Sequence, residues 1–323
     1  MSKSSHIDVG EWKLVSSIHN DYTTHPFAAG PAGLSEGTWR RDDKLGKGGF
    51  GTVWKQTNTS VHHERGHRVR AVKQIRKTDK ETLAPPELHN LIKLSTDRIH
   101  GSDHLQYFVK FFGWFDDQDH IYVSMEYIDN KDLQHHIQER YQKGESFEER
   151  EGAVIVAQIS NALKFMHENN IMHRDLKPAN ILISRPAPDW QIKLADFGIS
   201  KDIEIGFAQT KAGTDGYMAP EVADTRRKDP YTNAVDIWSL GAITFCIHTG
   251  RPPFENVFAI AQYIQCQDEK GAFPLDLLLK FSGKLVIFII QLMDVKPGRR
   301  PTIDGVLQHP WVKTQGGTLP DQE

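Results

Sequence analysis

The densest concentration of reactive side chains is the run His173-Arg174-Asp175-Leu176-Lys177-Pro178-Ala179-Asn180. A potential base, two cations and an amide sit there in a segment that Pro178 keeps out of a helix, since proline lacks the amide donor and clashes with a helical backbone. A purely structural turn gives no reason for that combination. Sixteen residues after Asn180, Asp196-Phe197-Gly198 puts a carboxylate at the end of a strand-like stretch, Gln191–Leu194, before a flexible glycine. Earlier in the chain, Gly46-Lys47-Gly48-Gly49-Phe50-Gly51-Thr52-Val53 offers backbone amides that can approach phosphate oxygens with no Cβ in the way. A dinucleotide fingerprint should lead into a helix, but Thr52-Val53-Trp54 continues as a strand. A Walker loop should end in Gly-Lys-Ser/Thr, and this one does not. A β-hairpin lid over nucleotide phosphates remains. Val69-Arg70-Ala71-Val72-Lys73 then brings a lysine to the end of an apolar strand some twenty residues later, as a candidate phosphate ligand that would need a carboxylate to hold it.

Three further stretches follow in order: Gly213-Thr214-Asp215-Gly216-Tyr217-Met218-Ala219-Pro220-Glu221, Asp236-Ile237-Trp238-Ser239-Leu240-Gly241 and Arg299-Arg300-Pro301-Thr302. Each alone is an ordinary turn, helix or loop. With the earlier motifs, and in this sequence order, the chain resembles a eukaryotic protein kinase of the serine/threonine type from about Trp39 to Trp311.

The resemblance implies an α+β, bilobal kinase fold, with a β-rich N-lobe at 39–128 carrying one main helix and a larger, mainly helical C-lobe at 129–312. It implies ATP and Mg²⁺ as cofactors. Leu45, Gly46, Lys47, Gly48, Gly49, Phe50 and Gly51 would cover the nucleotide, and Lys73 would hold its α/β-phosphates. Val53, Ala71 and Leu182 would sandwich the adenine, with Met125 at the back of the pocket, backbone groups from Glu126 to Ile128 at its edge and Asp132 toward the ribose. Asp196 and Asn180 would bind the metal, and Asp175 would orient the acceptor hydroxyl and take its proton. Lys177 would reach the transferred phosphoryl group and Thr214 would bridge the catalytic aspartate and lysine; both resemble serine/threonine enzymes and not tyrosine kinases.

Leu91, Phe111, Phe197 and His173 resemble a stacked spine anchored by Asp236, and Glu221 is expected to pair with Arg300. Glu87 is the chosen partner of Lys73, although it follows Pro85-Pro86 and so falls in the first turn of its helix; Glu81 is the alternative, and a favourable charge at the helix start is the plain reading of Glu87. Arg174 before Asp175 is typical of kinases switched by activation-loop phosphorylation. Phospho-Thr210 is expected to pair with Arg174 and Lys201, with Ser200 a weaker acceptor.

These groups need rigid elements to position them. Short β-branched and aromatic runs at Thr52–Lys55, Arg68–Ile75, Phe108–Phe115 and His120–Tyr127 read as strands, interrupted by an amphipathic helix at Glu87–Leu94. After Asp129-Asn130 the pattern turns helical. Ser146 and Glu149 form a capping-box signature before a long helix, and Asp236–Thr249 reads as a helix closed by Gly250. Apolar periods continue over Leu275–Met293 and Thr302–Leu307. Residues 1–38 show no sustained period and are expected to be a flexible or loosely packed leader, with 313–323 a short tail.

At 323 residues, 38% apolar and 25% charged, the chain can bury a globular core. Its net charge of −3 argues against nucleic acid or a membrane surface as the main partner. Two cysteines, Cys246 and Cys266, the lack of a secretory or myristoylation signal and a longest apolar run of only Leu285–Met293 suggest an intracellular, cytoplasmic or nuclear protein without a membrane span. The expected partners are a protein substrate with a Ser/Thr acceptor and either an upstream activating kinase or a second copy in autophosphorylation. His62-His63-Glu64-Arg65-Gly66-His67 reads as a solvated loop, and Arg226-Arg227-Lys228 is too short for a nuclear signal. A pseudokinase scaffold is the alternative function, opposed by the presence of Lys73, Asp175, Asn180 and Asp196; a small-molecule phosphotransferase is opposed by the stretch Gly213 to Glu221.

Overall fold

Strand propensity and helical periodicity divide this chain near residue 128, and the computed structural model separates two compact units between Ile128 and Asp129. The structure describes residues 8–26, 36–48, 51–60, 68–77, 86–95, 102–196, 215–223, 232–265 and 273–315.

The first unit is built on an antiparallel sheet. Its strands are β1 (Ser17–Ile18), β2 (Tyr22–His25), β3 (Gly37–Gly48), β4 (Gly51–Asn58), β5 (Val69–Arg76), β6 (Phe111–Asp116) and β7 (His120–Glu126), in the spatial order β1-β2-β3-β4-β5-β7-β6. Among the described residues, one α-helix, α1 (Pro86–Ser95), lies between β5 and β6 in sequence; Leu88, Leu91, Ile92 and Leu94 are buried on it, at the spacing of one helical face. The core joins Leu14, Trp39, Val72, Phe112, Phe115 and Tyr122.

The leader departs from expectation. From Asp8 to His25 the chain forms a 3-10 turn (Val9–Trp12) and then β1 and β2, with β2 pairing Tyr22 to Arg40 and His25 to Gly37. Apolar residues spaced too irregularly to show a period are nevertheless buried here, Trp12 and Leu14 among them. Burial against distant strands of the same unit, and not a local period, is what orders this segment.

The second unit is mainly helical: α2 (Leu133–Gln142), α3 (Glu149–Glu168), α4 (Pro220–Ala223), α5 (Ala234–Thr249), α6 (Val257–Gln265), α7 (Gly283–Leu292), α8 (Ile303–Gln308) and α9 (Pro310–Gln315), plus the ribbon β8 (Ile181–Arg185) with β9 (Gln191–Leu194). The cap of α3 is shifted two residues from the expected Ser146 and Glu149: Glu151 accepts the Glu148 backbone N–H at 3.1 Å. Glu149 turns elsewhere, accepting from Ser282 N, Ser282 Oγ and the Trp311 indole at 2.7, 2.6 and 3.1 Å. The Leu275–Met293 period is divided into a 3-10 turn (Leu275–Leu278) and α7, whose N-cap is Ser282. At the end of α5, Gly250 adopts φ 80° and closes on Cys246 O; a Cβ there would meet the Tyr141 ring at 2.6 Å. Among the described residues, no helix is long and apolar enough to cross a membrane.

Candidate active site

In the first unit, β3 and β4 form the glycine hairpin, pairing Gly46 with Val53, Lys47 with Thr52 and Gly48 with Gly51. Gly49 and Phe50 lie outside the described residues. The glycines divide by cause. Gly51 has φ 130° and a Cβ would fall 2.1 Å from Gln74 O, so the sheet itself requires glycine. At Gly46 and Gly48 a Cβ would meet nothing within 4 Å. Packing among the described residues gives no reason for glycine at those two positions.

Cross-strand registry gathers the other nucleotide-pocket candidates of this unit. Val53 faces Lys73, Ala71 faces Met125, and Met125 faces Phe111 on its other side. Lys73 is buried on the interior strand β5. Glu126 N–H donates to Lys110 O at 2.8 Å, and its carboxylate accepts from Lys110 N at 3.2 Å. Glu87 is the second residue of α1, in the first turn as expected from Pro85-Pro86. Glu81, the alternative partner, lies outside the described residues.

In the second unit, the loop before β8 folds on itself through Asp175. Lys177 Nζ donates to Asp175 Oδ2 at 2.9 Å, and Asn180 Nδ2 donates to Asp175 O at 2.7 Å and to Oδ2 at 3.2 Å. The amide nitrogen being used in this way, Asn180 Oδ1 accepts no hydrogen bond among the described residues. The β8–β9 ribbon then decides what stands beside it. Ile181 pairs with Leu194, and Ala195 N–H donates to Asn180 O at 2.9 Å. Asn180 and Asp196 therefore flank the same end of one ribbon although they are sixteen residues apart. Asp196 has φ 56° and Arg174 φ 63°, left-handed values that cost energy outside glycine and persist only when surroundings impose them.

For Arg174 the imposing group is Asp236. From the first turn of α5, its Oδ2 accepts the His173 N–H and its Oδ1 the Arg174 N–H, each at 2.9 Å, while His167 Nε2 contacts Oδ2 at 2.9 Å. Burial would push the Asp236 carboxyl up, but the His167 hydrogen bond and charge, with His173, hold it below the usual carboxylate range. Burial lowers His173, with Asp236, Asp175 and Asp196 opposing. His167 was not singled out in the sequence; its place in the last turn of α3, six residues before His173, was the available signal.

The remaining candidates distribute as follows. Asp132 and Leu182 are brought together by an antiparallel bridge, but the Asp132 side chain expected toward a ribose caps α2, with Oδ1 accepting from His135 N at 2.8 Å. Glu221 and Arg300 form the expected pair as a bidentate ion pair at 2.6 and 2.8 Å, both buried. Leu91 and Phe111 are buried in the first unit and His173 in the second. Phe197, Lys201, Thr210, Thr214, Ser200 and the tracts 62–67 and 226–228 lie outside the described residues; of Ile128, the described backbone shows only its place before the unit boundary.

Comparison with known proteins bears on this geometry. A family model described as "Protein kinase domain" matches residues 39–312. Calcium/calmodulin-dependent protein kinase type 1 of Caenorhabditis briggsae is 35% identical over 278 residues, covering 84% of this chain and 71% of that protein. Aurora kinase of Eremothecium gossypii is 31% identical over 316 residues, covering 95% and 79%. The crystal structure of Rad53 1-466 in complex with AMP-PNP superposes with a TM-score of 0.65 at 29% identity, covering 85% of this chain and 65% of that one.

Proposed function

We propose, for a chain that belongs to the protein kinase family as an ATP-binding serine/threonine kinase, that Asp175 is the base that takes the proton of the acceptor hydroxyl. The acceptor is a serine or threonine of a protein substrate. Its oxygen bonds to the γ-phosphorus of ATP, the bond from that phosphorus to the β-γ bridging oxygen breaks, and ADP leaves with the electron pair. The hydroxyl proton passes to Asp175.

The observation that carries the reading is the closed arrangement of Asp175, Lys177 and Asn180. Lys177 fixes one carboxylate oxygen and keeps a positive charge beside the reacting centre, where negative charge spreads over the phosphoryl oxygens. Asn180 holds the backbone and carboxylate of Asp175 in one orientation, so little reorganisation accompanies transfer. Asn180 Oδ1 and the Asp196 carboxylate, carried by residues that flank the same end of the ribbon, are hard oxygen donors of the kind Mg²⁺ takes and would hold that ion. When bound, that ion neutralises charge on the ATP phosphates. Lys73 would hold the α/β-phosphates beneath the hairpin of Gly46 and Gly48. A pseudokinase is disfavoured because each of these groups is retained.

For regulation, phospho-Thr210 would pair with Arg174 and Lys201, adding charge-assisted hydrogen bonds that order the loop. Thr210→Ala is expected to lower activity, and full activity of that variant would refute the switch.

The test of the chemistry is ATP turnover on a serine/threonine peptide array, with Asp175→Asn as the paired variant. Turnover is expected to fall at least about 10³-fold, because a missing base and a lost charge both raise the barrier. Unchanged turnover in Asp175→Asn, or acceptors confined to tyrosine, would overturn the assignment.

A further inference from the structure

The segment before the kinase motifs is attached to α1 of the first unit. Trp12 stacks on Phe111 of β6, with ring centroids 5.3 Å apart and planes 25° from parallel. Leu14 N–H donates to Trp114 O at 2.7 Å, and Trp114 Nε1 donates back to Val9 O at 3.0 Å. Lys13 pairs with Asp116 at 2.8 Å and covers the Trp114 ring at 4.8 Å. The β6 backbone is shaped for this approach: Gly113 has φ 138°, and a Cβ there would fall 2.8 Å from Trp12 O and 2.9 Å from the Leu14 side chain. At the far end, His25 Nε2 meets Arg70 Nη1 at 2.9 Å. The segment is thus fastened at both ends to strands β5 and β6.

The turn Val9–Trp12 also lies against α1, with Cα atoms within 8 Å, and β6 contacts the same helix. α1 carries Glu87. We infer that residues 8–25 are a strap that positions α1, with Trp12 as its positioning residue, so that the catalytic ion pair expected of Lys73 and Glu87 depends on a segment outside the kinase-family match at 39–312. The inference rests on the kinase reading above, since it assigns Trp12 to the same reaction. Trp12 touches neither substrate nor nucleotide in this assignment; it acts through β6 and α1.

Two measurements on the full chain test it. In the first, Trp12→Ala and Trp12→Phe are compared with the parent in steady-state kinetics. A misplaced helix withdraws a positioned group from the transition state, so kcat is expected to fall between about tenfold and a hundredfold in Trp12→Ala. KM for the peptide should be unchanged, and Trp12→Phe, which keeps a ring on Phe111, should restore most of kcat. Unchanged kcat in folded Trp12→Ala would overturn the strap, as would an equal loss in Trp12→Phe.

The second needs no variant. Native-state hydrogen exchange of the parent is expected to show Trp12–Leu14 and His89–Leu94 opening as one unit, apart from β4 and β5. Independent opening of α1 and the strap would overturn the inference even if Trp12→Ala fails to fold. Turnover that survives Asp175→Asn would instead refute the catalytic assignment, and the exchange result would still decide the strap.

Discussion

Arg70 is fully buried, and its side chain touches no carboxylate among the described residues. Its guanidinium donates Nε and Nη2 to a single oxygen, Gln56 Oε1, at 2.9 and 2.7 Å, and meets His25 Nε2 at 2.9 Å. It stacks on Trp39 at 4.3 Å from the ring centroid. Removing Gln56 Oε1 therefore strips the charge of its main acceptor in a place water does not reach. Hydrogen bonds to charged groups contribute roughly 1.5–3 kcal/mol each, so Gln56→Leu should cost about 3–5 kcal/mol. Adding Arg70→Met removes the charge that needs the acceptor. Methionine packs against Trp39 and Phe115, while His25 and Ser124 lose a donor, so the double variant should regain about 1–3 kcal/mol over Gln56→Leu alone. Urea unfolding followed by circular dichroism, compared at equal m-value, measures each step. A loss below about 1 kcal/mol in Gln56→Leu would refute the reasoning, and so would a double variant less stable than the single one.

Three further outcomes follow from the same geometry. Burial, and then Arg70, lowers His25 to about 4 from 6.5, and burial lowers His248 to about 4. The unfolded chain then binds the extra protons, so stability is full above pH 6.5 and falls toward pH 4, by about 3 kcal/mol per histidine. A thermal-unfolding series across that range should flatten in His25→Gln. Glu221→Gln should cost about 3–5 kcal/mol by stranding the buried Arg300 guanidinium, read as a lowered Tm. Gly51→Ala should destabilise the chain by at least about 1 kcal/mol, because of its positive φ and the Gln74 O clash, whereas Gly48→Ala should leave Tm unchanged and raise KM for ATP.

Much of the candidate site was legible because the proposed chemistry restricts residue type at fixed places. Asp175, Lys177 and Asn180 stand within six residues, so local backbone alone can bring them together. The strands β4, β5 and β7 and the helices α1 and α5 were readable for a related reason: propensity and period are local properties. Where two local signals overlapped, sequence could not choose. Ser146 with Glu149 and Glu148 with Glu151 are equally spaced cap candidates, and Ser282 and Trp311, far along the chain, claimed Glu149.

The sequence by itself determined the family and the candidate phosphotransfer residues, and marked the division near residue 128, since each depends on identities close together in the chain or on a change of period. Only the tertiary structure decided that Asn180 and Asp196 flank the same end of one ribbon, because strand registry between β8 and β9 sets that neighbourhood. It alone set Asp236 beneath the His173 and Arg174 amides, and it alone turned an aperiodic leader into a strap. Trp12 has no partner in its own stretch of sequence; its order comes from a ring ninety-nine residues away on Phe111, where burial of apolar surface outweighs the missing local preference.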